Sequence, residues 1–207
     1  MSASGRDRAD ETGAGGQSSG FARDVVTSII AVSLVGAYLF AMSGVWPPMV
    51  AIESGSMEPN MDVNDLAFIM DTDRFQPDAA HEQTGVVTAS RGEEVGYTQF
   101  GGYGDVVVFQ PDGDNRRTPI IHRAMFFVEE GENWFDRANE SYLNDADSCQ
   151  GIGRACPAPH DGFITKGDAN PTYDQVGEGI SSPVEPEWVI GTAEVRIPGV
   201  GWLRLRL

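Results

Sequence analysis

Three short segments hold residue types that together suit nucleophilic chemistry. The first is Ser54-Gly55-Ser56-Met57-Glu58-Pro59, the second Ile120-Ile121-His122-Arg123, and the third Lys166-Gly167-Asp168-Ala169-Asn170 with Asp174 behind it. A serine hydroxyl is a poor nucleophile until a base removes its proton. Histidine is the usual base, because its unperturbed pKa is about 6.5. A carboxylate then fixes the imidazole tautomer, and backbone or hydroxyl donors stabilise the oxyanion that forms on attack. Of the three histidines, His81 and His160 sit among polar loop residues, whereas His122 ends an apolar strand-like run. Taken singly, each segment also has a structural explanation. Gly-x-Ser is common, a histidine after two isoleucines is more often a core residue, and Gly-Asp-x-Asn is an ordinary turn. Pro59 and Asn60 break the Gly-x-Ser-x-Gly elbow of α/β-hydrolases.

The elements that must position these residues begin with an anchor. Residues 1–20 are Gly, Ser, Ala and charge, the composition of a disordered tail. Residues 21–46 follow, and Val25 to Trp46 carry no charge, long enough to cross about 30 Å of hydrocarbon as a helix. Trp46 suits the interface, and Pro47-Pro48 end the helix. A cleavable leader fits less well, since the segment before the span is not basic overall and the apolar stretch exceeds a usual signal core. Arg6, Arg8 and Arg23 precede the span and no basic residue follows it until Arg74, which predicts a cytoplasmic amino terminus and an extracytoplasmic domain over 47–207. Ser56 lies ten residues beyond Trp46, so it stays within about 35 Å of the span.

That domain reads as mostly β. Runs rich in β-branched and aromatic residues at Leu66–Met70, Val106–Phe109, Met125–Val128, Phe163–Thr165 and Val189–Ile197 are spaced by Gly, Pro, Asp and Asn. Two polar, acidic stretches, 71–103 and 129–162, read as insertions in loops. The apolar end from Ile197 to Leu207 is too short to span a bilayer and suits an interface or a last strand.

The chain has 207 residues, 31 acidic against 14 basic, and a formal net charge of −17. Lys166 is its single lysine. Such a balance excludes a nucleic-acid binder, whose affinity comes from neutralising phosphates. Because the acid is spread through the soluble part, it points to adaptation to molar salt, where the Debye length shrinks to about 3 Å, more than to a patch for a basic partner. Cys149 and Cys156 lie in a loop-like context and suit either a disulfide or two free thiols. A metal shared with His160 lacks the usual spacing and a fourth ligand. Asn139-Glu140-Ser141 is a glycosylation sequon, whereas Asn170-Pro171-Thr172 is disqualified by its proline.

Taken together, the three segments resemble the type I signal peptidases, in pieces over 50–123 and again from 163 to about 203. Ser54-x-Ser56-Met57-x-Pro59 is similar to the nucleophile box, and Gly104-Asp105-Val106-Val107-Val108-Phe109 to the box before the general base. Ile121-His122-Arg123 falls where bacterial members carry Lys-Arg, which sets the chain beside the archaeal and endoplasmic-reticulum branch. Lys166-Gly167-Asp168-x-Asn170-x-x-x-Asp174 resembles that branch's acidic box, with Ala169 in place of a usual Asn and Pro171 stiffening the loop between the acids. Ile190-Gly191-x-Ala193 and Ile197-Pro198-Gly199-Val200-Gly201 are similar to its closing segment. The resemblance implies an antiparallel signal-peptidase-type β fold, with Ser56 as nucleophile, His122 as general base and Asp174 as the third member. Asp168 would be a supporting acid, and the Ser56 amide and the Ser54 hydroxyl would be oxyanion donors. It implies secretory preproteins as substrates, a membrane lipid environment, and no cofactor or metal. An inactive preprotein-binding paralogue in a secretion complex is the alternative, as is a related peptidase for other membrane precursors.

The dense negative charge predicts self-repulsion in dilute buffer. The melting temperature is expected to rise from low to molar salt, and a thermal melt at both ionic strengths checks it.

Overall fold

The structure is a computed structural model that describes residues 16–202. The expectations for the tail up to residue 15 and for the last five residues lie outside that range. The chain forms two compact units that part between Ala41 and Met42.

Helix α1 (Gly16–Ser43) starts inside the stretch expected as tail and stops three residues short of Trp46. Its Gly20–Ser43 part contains an 18-residue window of mean hydropathy 2.2 with none of that window buried, and the 24 residues of this part extend about 36 Å, enough to cross a bilayer. Val32, Leu34 and Tyr38 are among the apolar side chains it leaves exposed. A helix apolar on every face has no solvated side to turn to water. It ends at Gly44, whose φ of +81° is the left-handed cap that glycine adopts without strain. The Ser43 hydroxyl donates to the Ile69 carbonyl at 2.6 Å, and the Ser43 carbonyl accepts from the Asp71 amide.

The second unit is mostly antiparallel sheet. Its strands are β1 (Met49–Ala51), β2 (Leu66–Met70), β3 (Thr98–Gln99), β4 (Gly102–Tyr103), β5 (Val106–Phe109), β6 (Ile120–Val128), β7 (Gly162–Lys166) and β8 (Val189–Ile197). Six form one sheet in the order β1-β2-β8-β5-β6-β7, and β3 and β4 make a separate hairpin. All five runs read as strands from the sequence fall inside strands here. Strand β6, however, begins five residues before Met125, so His122 lies within the strand. The segment after Ile197 does not continue β8; it turns, and Gly201 donates to the Asn64 carbonyl.

Strand β5 is buried along its whole length because both sheet faces are covered. Val106 and Val108 pack with Ile52, Met57, Met61 and Ile69, while Val107 and Phe109 pack with Val86, Phe163 and Val184. This explains an unbroken Val-Val-Val-Phe run where a one-sided sheet would alternate.

The two stretches expected as loop insertions have structure of their own. Residues 71–103 hold α2 (Ala89–Val95), capped by the Thr88 side chain, and the β3–β4 hairpin. Residues 129–162 close a small apolar core. Trp134, Leu143 and Ile152 are buried there with Phe126, Val128 and Tyr173. Short helix α3 (Cys149–Ile152) starts at a cysteine bonded to Cys156, so the pair is a disulfide. Trp134 is fully buried and its indole N–H donates to the Ala155 carbonyl at 2.7 Å. Trp134→Ala would empty the centre of this core, with an expected loss of about 3–5 kcal/mol in a denaturant titration.

Candidate functional site

Strands β1 and β2 form a hairpin whose long tip carries Ser56. The ladder runs on past the strands, with the Ile52 amide on the Asp65 carbonyl and the Asn64 amide on the Ile52 carbonyl. Ser56 then lies in a single 3-10 turn, Gly55–Met57. Fully buried Met57 and Met61 pin this turn to the sheet core. Ser54 precedes the turn in extended conformation and its side chain makes no cap. The Ser54 and Ser56 hydroxyls are instead 3.2 Å apart.

His122 comes from β6, in register with Val107 of β5. Its Nδ1 is 2.6 Å from Oδ2 of Asp174, and the two side chains are only 4% and 1% exposed. Asp174 arrives on the segment after β7, which folds back so that its amide donates to the Thr165 carbonyl. The Thr165 hydroxyl donates to the same Oδ2 at 2.7 Å. Gln175 secures this return, with its side-chain oxygen accepting from the Thr165 amide. A carboxylate on Nδ1 holds the proton there and leaves Nε2 as the basic nitrogen. The other carboxylate oxygen of Asp174 is buried without a partner among the described residues. An unmatched acceptor of this kind costs about 1–3 kcal/mol.

Asp168 does a different job. It accepts from Arg123 Nε at 2.8 Å and Nη2 at 2.7 Å, and from Asn60 Nδ2 at 2.8 Å. The rest of the guanidinium points at carbonyls of Gln99, Phe100, Tyr103 and Gly104, in and beside the β3–β4 hairpin. The Ala169 amide donates to the Ser56 carbonyl at 2.9 Å. The loop bearing Asp168 therefore holds the serine turn at two points, Ser56 and Asn60. Lys166 stiffens that loop from the other side. Its ammonium donates to the carbonyls of Gly167, Asp168 and Asn170 and lies 4.5 Å from the Tyr142 ring centre. Burial pushes its pKa down, while Asp168 and Asp174 oppose the change. With three carbonyls bound, this lysine is a clamp on the loop.

Asp105 anchors the first insertion to β5. The Val87 amide and the Tyr97 hydroxyl each donate to it at 2.7 Å. Burial pushes its carboxyl up to about 6, with those two donors and Arg123 opposing and Glu194 adding to the rise.

Ser54, Ser56, His122 and Asn170 open onto one cleft of about 790 Å³, walled mainly by apolar side chains such as Ile69, Ile121 and Ile190. The other two histidines serve packing. His81 stacks on Phe127 at 4.0 Å, and His160 sits edge-on to Trp188 with Nε2 3.3 Å from the Ser182 hydroxyl. Among the described residues no group of three or more His, Cys, Asp or Glu is placed to hold a metal ion. No protein-family model and no curated protein sequence matches the chain.

The geometry thus joins His122 to Asp174, gives Asp168 to Arg123, and sets Ser54 beside Ser56. Thr165, Asn60 and the Lys166 clamp were not singled out by sequence reasoning. Asn60 follows Ser56 by four residues, the one local signal of a shared turn.

A Cβ on Gly167 would lie 2.6 Å from the Ser56 carbonyl oxygen, inside contact distance with backbone. Gly167→Ala must therefore shift the serine turn. Phosphonylation of Ser56 by a serine-directed fluorophosphonate, in which Oγ bonds to phosphorus and fluoride leaves, is expected to slow by about 10²-fold, since misplacement near 1 Å costs that much. Labelling rates read by mass spectrometry check it.

Proposed function

We propose that this chain is a membrane-anchored serine endopeptidase of the type I signal peptidase kind, which removes amino-terminal signal peptides from secreted preproteins. One observation carries the reading: the buried 2.6 Å contact of Asp174 with His122, which lines the same cleft as Ser56. The apolar helix supports the anchor, and the disulfide supports a domain outside the cytoplasm.

The steps follow from the side chains. Ser56 Oγ attacks the scissile carbonyl as His122 Nε2 takes its proton. Asp174 steadies the imidazolium through Nδ1 without becoming protonated. Amides in the first turn of a helix lack intrahelical acceptors, so the Ser56 N–H is available to the developing oxyanion, and the Ser54 hydroxyl is near enough to join it. The imidazolium returns its proton to the leaving amine, and water repeats the sequence on the acyl-enzyme. An apolar cleft takes an extended, uncharged peptide, and none of these steps calls for a cofactor.

Cleavage of a purified preprotein by the full chain, in detergent and high salt, is the test. Ser56→Ala and His122→Ala should abolish it. Asp174→Asn should lower kcat by about 10⁴-fold with little change in KM, because the amide reverses the imidazole tautomer. Asp168→Asn should act mainly on stability, since it leaves Arg123 buried without its counter-charge, a loss of about 3–5 kcal/mol. A folded wild type that binds preprotein and never cuts it would return the scaffold alternative. Cutting that survives Ser56→Ala would remove the serine mechanism.

A further inference from the structure

The insertion between β6 and β7 carries a feature that the peptidase chemistry does not use. Asn139 is exposed and precedes a 3-10 turn, Glu140–Tyr142. Its side-chain oxygen accepts from the Ser141 amide at 3.0 Å and the Ser141 hydroxyl at 2.7 Å. The carboxamide is thus held by its oxygen alone. Those two bonds draw electron density from the amide and make its Nδ2–H more acidic. Below it, the Asn139 backbone amide donates to the Tyr173 hydroxyl at 3.1 Å, which ties the turn to the buried aromatic core. The sequon is therefore presented on a fixed turn at the surface.

A second observation concerns the compartment. The same insertion holds the Cys149–Cys156 disulfide, a bond that persists where the surroundings are oxidising. Sugar transfer to Asn-x-Ser takes place on secreted and surface domains, so bond and sequon agree. The chain supplies its own contrast at Asn170, which has Pro171 after it and lines the cleft.

We propose that Asn139 is an N-glycosylation site that receives an oligosaccharide from a lipid-phosphate or lipid-pyrophosphate donor. The Asn139 Nδ2 forms a bond to the anomeric carbon as the bond from that carbon to the donor phosphate oxygen breaks. The phosphate leaves with the electron pair, the amide proton passes to the transferase's base, and nothing is oxidised or reduced. This site rests on the outward placement of the domain given above and not on proteolysis, so the two can fail separately.

The test uses the full chain isolated from the membranes of the cells that make it, reduced, alkylated and digested with trypsin. Cleavage after Arg137 and Arg154 releases Ala138–Arg154 as one peptide. Its mass should carry a ladder of sugars that fragment ions place on Asn139 and not on Asn144. Ser141→Ala should abolish the ladder and Ser141→Thr should keep it. Ser56→Ala, which silences the proposed peptidase, should leave it unchanged. An unmodified peptide from the wild type overturns the site, whether or not the cysteines are found paired. A ladder that persists in Ser141→Ala overturns it as well.

Discussion

A buried arginine needs every one of its donors matched, and Arg123 meets that demand by drawing four parts of the chain together. Its neighbour on β6 is His122, so whatever fixes the guanidinium also fixes the strand that aims the imidazole. One edge of the fork takes Asp168 in a bidentate pair, and the rest takes carbonyls from the first insertion. Asp168 in turn holds Asn60, four residues beyond Ser56. Removing two charges from water is costly, and the Coulomb gain repays it only with good geometry and further hydrogen bonds. Both are present here. The first insertion, read from the sequence as a polar loop, is thus the wall against which the site is assembled.

The two acids lie six residues apart on one loop and serve different partners. Asp168 ties the loop to the serine turn, and Asp174 reaches the imidazole. Pro171 between them restricts the backbone, yet Asp174 still arrives within hydrogen-bond distance, because its amide and the Gln175 side chain both dock on Thr165. The second insertion adds support behind this loop. Tyr173 sits in the disulfide-closed core, and its amide donates to the Tyr142 carbonyl. Each insertion therefore braces one acid, the first through Arg123 and the second through Tyr173.

What was legible in the sequence follows from what a residue type can signal. β-Branched runs such as Val106–Phe109 declare strands because their shape suits little else. The serine, histidine and acid segments stood out because few residue types do such chemistry and the chain offers few histidines. The partners of Arg123 were not legible, since a backbone carbonyl has no identity in a sequence. Nor was the second core: Trp134, Leu143 and Ile152 are spaced too irregularly for either period, and the disulfide, not periodicity, closes them. Which acid meets which partner is a matter of contacts: Asp174 reaches His122, and Asp168 reaches Arg123.

The acidic surface bears on the site through screening. Most arginines that pair in the described residues do so in the open, as Arg91 with Glu94 and Arg116 with Asp114. Such pairs are worth about 0–1 kcal/mol and fade in salt. Arg123 with Asp168, and His122 with Asp174, are buried, where mobile ions do not reach. Molar salt would therefore relieve the repulsion among surface carboxylates while leaving the interactions that shape the site at nearly full strength. Surface charge can drift widely under selection for salt, provided that the few buried charges keep their partners.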